Sequence, residues 1–243
     1  MLALIMAGGE GSRLGMGEKP LVNICGRPMV SYVIDAFLAA DHEVVVVASH
    51  RTPFTKNWCR AQGLTIYDAK GLGYVEDINA AAADLEEEGK PLFTCVSDLP
   101  CLAVDIIADI EAAWRRSGLP ACSTWVPHDL CLEHGCRTHY TEVINGVPAC
   151  PAGINILTAS REEGIPEEEV QVLLHDRRLA FNINTREELA LVQRYLCGRR
   201  QVYPLFTGSS PPVSSMPIVS ESGAHRVTAE PASSEGNTPR RDT

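Results

Sequence analysis

The chain has 243 residues and a formal net charge of −10, with 45% hydrophobic and 21% charged residues. That composition supplies one sizeable core, and the acidic balance argues against a general nucleic-acid binder. No apolar run reaches the roughly 18 residues that span a bilayer, and no basic stretch precedes the first short apolar run, so the expectation is a cytoplasmic protein with neither membrane insertion nor a signal peptide.

In chain order, short aliphatic runs alternate with helical patterns. Leu2–Ala7, Glu43–Ala48, Leu64–Asp68, Leu92–Ser97, Ala121–Val126 and Gly153–Leu157 read as strands. Their near-continuous apolar character suits a parallel sheet covered on both faces. Met29–Ala39, Pro53–Ala61, Tyr74–Leu85 and Val104–Arg116 read as helices between them. Asn145-Gly146, between Val143-Ile144 and Val147, reads as a tight hairpin turn. Thr185 with Glu188 three residues on is a capping box that starts a last helix running to Leu196. This alternation predicts an α/β protein.

Beyond Gly198 the composition shifts to Ser, Pro, Gly and Thr without periodicity. Such a stretch buries too little apolar surface to offset its ordering entropy. The expected organisation is one domain over 1–198 and a disordered tail over 199–243. The tail nets +1, which leaves −11 for the domain. The nine cysteines have no paired spacing and read as reduced thiols, several buried as small hydrophobes.

Directly after the first strand comes Met6-Ala7-Gly8-Gly9-Glu10-Gly11-Ser12-Arg13-Leu14-Gly15, followed by Lys19-Pro20-Leu21. Glycines let backbone N–H groups approach phosphate oxygens without a Cβ in the way. An Arg fork bridges two phosphate oxygens, and a Lys adds a compact charge. A dinucleotide-binding reading is weak, because the second strand ends in Ala48-Ser49-His50 rather than an acid. A P-loop would need Ser or Thr after its Lys, where this chain has Pro20.

The run G-G-x-G-x-R-L-G followed by K-P-L resembles the nucleotidyltransferase superfamily that includes sugar-nucleotide pyrophosphorylases and molybdenum-cofactor guanylyltransferases. The resemblance implies a Rossmann-like, mixed but mostly parallel sheet with helices on both faces, and a divalent metal, taken as Mg²⁺. It implies that Arg13 contacts the triphosphate and Lys19 lies near the α-phosphate and the nucleophile. Asp98, just past the carboxyl end of the Leu92–Ser97 strand, stands where open α/β sheets bind ligands. The resemblance makes it the metal ligand, so Arg13, Lys19 and Asp98 form the expected catalytic set, with Ala7, Gly8, Gly9 and Gly11 around the nucleotide.

Three further stretches narrow the resemblance: Gly71-Leu72-Gly73-Tyr74-Val75-Glu76-Asp77-Ile78-Asn79, Pro151-Ala152-Gly153-Ile154-Asn155 and Phe181-Asn182-Ile183-Asn184-Thr185. With the glycine loop they are similar to archaeal GTP:adenosylcobinamide-phosphate guanylyltransferases over residues 1–196. That similarity implies GTP and a corrinoid phosphate as substrates and pyrophosphate as a product. A homodimer is also expected. Gly73, Glu76 and Asp77 are candidates for the nucleoside: a carboxylate accepts from guanine N1–H and N2, or else both acids simply favour the first turn of a helix. Gly153 and Asn155 are candidate substrate or metal ligands. Asn184 is either a site residue or a helix cap. His128–His139, with three His and two Cys, is either a polar acceptor-side loop or a metal-binding one.

Overall fold

Leu2, Ala3, Leu4 and Ile5 are all buried, and an extended run without a polar face belongs inside a sheet covered from both sides. In the computed structural model these residues form the central strand. The residues described are 1–9, 11, 14–135, 140–158 and 168–198; the predicted tail, 199–243, lies outside them.

The elements run β1 (Leu2–Met6), β2 (Asn23–Ile24), β3 (Arg27–Pro28), α1 (Met29–Ala39), β4 (Glu43–Ser49), α2 (Pro53–Ala61), β5 (Thr65–Ala69), α3 (Tyr74–Asp84) and β6 (Pro91–Val96). They continue with α4 (Val104–Ser117), β7 (Ala121–Pro127), α5 (His128–Glu133), β8 (Glu142–Ile144), β9 (Val147–Thr158), β10 (Glu169–Leu173), α6 (Arg177–Ala180) and α7 (Arg186–Gly198). The eight-stranded sheet has the order β10-β7-β9-β6-β1-β4-β5, with β8 paired to β9. The β6-β1-β4-β5 half is parallel. In the other half β9 runs antiparallel to both β6 and β7, and β10 is parallel to β7. The expected mixed, mostly parallel sheet is therefore present. Asn145 and Gly146 both take positive φ, 52° and 81°, as a two-residue hairpin turn between β8 and β9 requires.

Both faces carry helices, unequally. On one face Val30, Val33, Ile34 and Phe37 of α1 and Ile106, Ile107 and Ile110 of α4 share a core with Ile5, Val46 and Phe93. On the other, Ile78, Ala81 and Ala82 of α3 pack on Leu2, Leu4, Val45, Val47 and Leu92. Phe37 and Phe93 meet edge to face at 5.3 Å, a geometry worth about 1 kcal/mol beyond the area buried. Arg178 of α6 holds both carboxylate oxygens of Asp105 on α4, at 2.9 and 2.5 Å. Those hydrogen bonds hold the Asp105 carboxyl below the usual range.

One cysteine expectation needs correction. Cys25, in the β2–β3 turn, and Cys197, in the last turn of α7, form a disulfide with Cα atoms 5.8 Å apart. A separation of 172 residues leaves no local spacing to read, so only the fold reveals the pair. Cys59, Cys95, Cys101, Cys122, Cys131 and Cys150 are buried thiols as expected; burial pushes Cys59 and Cys122 up to about 11.

Candidate active site

The parallel half of the sheet delivers its carboxyl ends to one edge, and the loops there build the site. The chain leaves β1 between its two neighbours: Ala7 N donates to Val47 O at 2.7 Å and Ser97 N donates to Met6 O at 3.2 Å. The Ser49 hydroxyl then donates to Gly8 O at 3.0 Å and accepts from Arg51 N at 3.2 Å. One hydroxyl thus fastens the first turn of the glycine loop to the end of β4.

Gly11 has φ 62°, and a Cβ there would stand 2.3 Å from Lys19 Cβ. Any side chain at this position would push Lys19 away, so the glycine sets the path of the lysine. Glu10, Ser12 and Arg13 lie outside the described residues, and the Arg13 assignment rests on the sequence. Glu18 anchors the following turn, its carboxylate accepting from Phe54 N at 2.8 Å, Thr55 N at 2.6 Å and Thr55 Oγ1 at 2.6 Å. An anion at the start of α2 satisfies amides that the helix leaves unpaired. The next residue, Lys19, is thereby aimed at the end of β6.

Lys19 Nζ forms an ion pair with Asp98 Oδ2 and donates to Asn184 Oδ1 at 2.9 Å. Asn184 Nδ2 donates in turn to Asn182 Oδ1 at 2.8 Å. The capping box holds this edge: Glu188 Oε2 accepts from Asn184 N at 2.6 Å and Thr185 N at 2.9 Å, while Thr185 Oγ1 accepts from Glu188 N at 3.2 Å. Asn184 is therefore both site neighbour and helix-start residue. Asp98 Oδ1 is buried without a hydrogen-bond partner among the described residues. A carboxylate oxygen left unmatched beside a cavity suits a hard divalent ion that takes its remaining ligands from phosphate and water.

That cavity encloses about 300 Å³ and is lined by Gly8, Gly9, Lys19 and Asp98 on one side and Arg51, Gly71, Gly73, Tyr74 and Asp77 on the other. Asp77 Oδ1 accepts from Gly71 N at 3.1 Å and Leu72 N at 3.3 Å, so this carboxylate shapes the loop as well as facing the cavity. Glu76 is exposed, its carboxylate fills the space a Cβ on Gly73 would take, and it is not among the lining residues. Tyr74 lines the cavity while remaining partly exposed, and desolvation raises the pKa of its hydroxyl.

Gly153 and Asn155 are not among the lining residues. Gly153 has φ 79°, and a Cβ would press on Val96 Cγ2 at 2.6 Å, so its bareness lets β9 close on the end of β6. Asn155 Oδ1 accepts from Thr124 N at 3.2 Å, where the β7–β9 register shifts between Ser123 and Trp125. In the structure both make contacts between strands, Gly153 with β6 and Asn155 with β7. Of the His128–His139 stretch, residues 128–133 form α5 and 136–139 lie outside the described residues. Among the described residues no three His, Cys, Asp or Glu side chains cluster to hold a metal. Arg51 is the cavity residue the motifs did not flag. Its signal was its place, two residues past a strand whose carboxyl end faces the site.

Residues 3–185 match the MobA-like NTP transferase domain, which begins with this strand and loop and ends at the capping box. The chain belongs to that family. The MobA-like transferase is 31% identical over 207 residues to the adenosylcobinamide-phosphate guanylyltransferase of Methanocaldococcus jannaschii, across 81% of this chain and 97% of that protein. It is 25% identical to the molybdenum cofactor guanylyltransferase of Shewanella frigidimarina, over 47% of this chain and 57% of the relative. In fold it resembles CMP:2-keto-3-deoxy-manno-octonic acid synthetase, with a TM-score of 0.59 at 14% identity, over 81% of this chain and 97% of that one. This MobA-like chain is a nucleotidyltransferase. Among its described residues no helix is long and apolar enough to cross a membrane.

Proposed function

We propose that the protein transfers GMP from GTP to adenosylcobinamide phosphate, giving adenosyl-GDP-cobinamide and pyrophosphate. The observation that carries this reading is the 31% identity to a guanylyltransferase with that acceptor, spanning 97% of the relative. The juxtaposed Lys19, Asp98 and glycine loop supply matching chemistry. An oxygen of the acceptor phosphate attacks the α-phosphorus of GTP, a new P–O bond forms, and the bond to the β-phosphate oxygen breaks as pyrophosphate leaves. The acceptor phosphate is already ionised, so no general base is required.

Lys19 holds two anions together that would otherwise repel, the α-phosphate and the incoming phosphate. The N–H groups of Gly8 and Gly9 face the phosphates, and Arg13 neutralises charge growing on the leaving pyrophosphate. Asp98, through its unmatched oxygen, is the residue that would hold Mg²⁺. Bound there, the ion supplies Lewis-acid neutralisation of phosphate oxygens. Pyrophosphate release measured with each of the four ribonucleoside triphosphates, with and without cobinamide phosphate, tests the reading. The expected result is release with GTP only when the acceptor is present, with a product heavier by one GMP unit. Equal or greater release with a different phosphorylated acceptor would overturn it.

A further inference from the structure

Strand order divides the cavity into two ends. Asp98 follows β6, the glycine loop follows β1, Arg51 follows β4 and Gly71 follows β5, in the spatial order β6-β1-β4-β5. Neighbouring strands lie about 4.8 Å apart, so the end of β4 is roughly 10 Å along the sheet edge from the end of β6. With the reacting α-phosphate at Lys19 and Asp98, the ribose and base extend toward β4 and β5. Arg51 therefore lines the cavity beyond the glycine loop as seen from Asp98, on the side toward β5 where the nucleoside would extend.

The chemistry at that end is paired. Arg51 carries only donors and the Asp77 carboxylate only acceptors, and both line the same cavity. Guanine offers two acceptors, O6 and N7, along one edge and donors at N1 and N2 on another. Adenine replaces O6 with an amino donor, which would face the guanidinium donors with nothing to accept them. The backbone of Arg51 is fixed as well, since its N–H donates to the Ser49 hydroxyl that also holds Gly8 O. The guanidinium thus starts from a point tied to the phosphate-binding loop.

We propose that Arg51 is a specificity residue whose guanidinium donates to O6 and N7 of a guanine bound in this cavity. The assignment rests on GTP being the nucleotide substrate. Calorimetric binding of GTP, ATP and 7-deaza-GTP to the full-length protein and to its Arg51→Ala and Arg51→Met variants, with Mg²⁺ present, tests it. Arg51 is exposed, so both variants should keep the wild-type melting temperature. Both should bind GTP about 10- to 100-fold more weakly while ATP changes by less than about threefold, the range expected for one bidentate base contact. Wild type should bind 7-deaza-GTP more weakly than GTP, and that difference should vanish in the variants. Equal weakening of GTP and ATP would make Arg51 a phosphate contact and overturn the proposal. A wild type that prefers GTP, with variants keeping the same GTP:ATP ratio, would overturn it too and leave the GTP reading standing. A wild type without preference for GTP would overturn both.

Discussion

Lys19 and Asp98, 79 residues apart in the chain, form an ion pair at the carboxyl edge of the sheet. Each is only 14% and 13% exposed at its side chain, so each shields the other's charge in the absence of substrate. Binding of a nucleotide gives the lysine new oxygens to contact, and a cation at Asp98 would replace the charge it leaves. The site is thus balanced before substrate arrives, and altering either partner should disturb more than affinity.

Asp98→Asn keeps the shape of the side chain and removes its charge. Activity should fall by at least about 100-fold, the scale of losing one preorganised charge-stabilising group. Steady-state turnover across a Mg²⁺ titration measures it, and wild-type turnover at ordinary Mg²⁺ would sink the metal assignment.

Lys19→Ala should lower turnover at saturating substrates and weaken the acceptor. Arg13→Lys keeps charge but loses the fork, so turnover should fall while GTP binding survives. Kinetics against both substrates, with GTP affinity by calorimetry, separate the effects. If both variants raise only the Michaelis constant for GTP, the transition-state role is dropped.

Replacing Cys25 and Cys197 together by Ser should destabilise the fold. The disulfide spans 172 residues, and closing so long a loop contributes up to about 5 kcal/mol through the unfolded chain. Denaturant midpoints of the variant and of the oxidised wild type give the difference. Coincident midpoints would show that the bond leaves stability unchanged.

His42 is buried against Phe37 and Phe93, with Nε2 3.7 Å from Glu111. Burial, aided by the N-terminal ammonium and opposed by Glu111, lowers its pKa from 6.5. The folded state therefore binds fewer protons than the unfolded state between the two values. Stability from this group should be flat above 6.5 and fall as pH drops through and below it. NMR titration of the His42 ring should show a midpoint below that of a free imidazole; a midpoint above it would reverse the sign.

Deleting residues after Gly198 should leave melting temperature and turnover nearly unchanged, because the removed stretch has no core-forming pattern. Thermal melts and initial rates of the truncated protein check it. A clear drop in either would show that the segment docks on the domain.

Elements with strong local signals were legible. Proline at the start of α2 and the apolar spacing of α1 fixed both helices at their observed bounds, Pro53–Ala61 and Met29–Ala39. β10 went unread because a five-residue edge strand, Glu169–Leu173, alternates too briefly to stand out. That Lys19 and Asp98 meet at one sheet edge was legible because each sits at a punctuated position, after a glycine loop or after a buried strand. Gly153 and Asn155 were expected at the site because they begin a buried run. Which way they face depends on the bulge between Ser123 and Trp125 on the neighbouring strand, a long-range property. Asn184 as the partner of Lys19 was hidden for the same reason, since 165 residues separate them.

The bond between Cys25 and Cys197 has a topological consequence. Nearly the whole sheet, with α1 through α7, lies inside one covalent ring. A protease nick in any surface turn between those two cysteines would open the ring without releasing a fragment, and the halves would stay joined through sulfur. On a reducing gel such a protein would run as two pieces, and on a non-reducing gel as one.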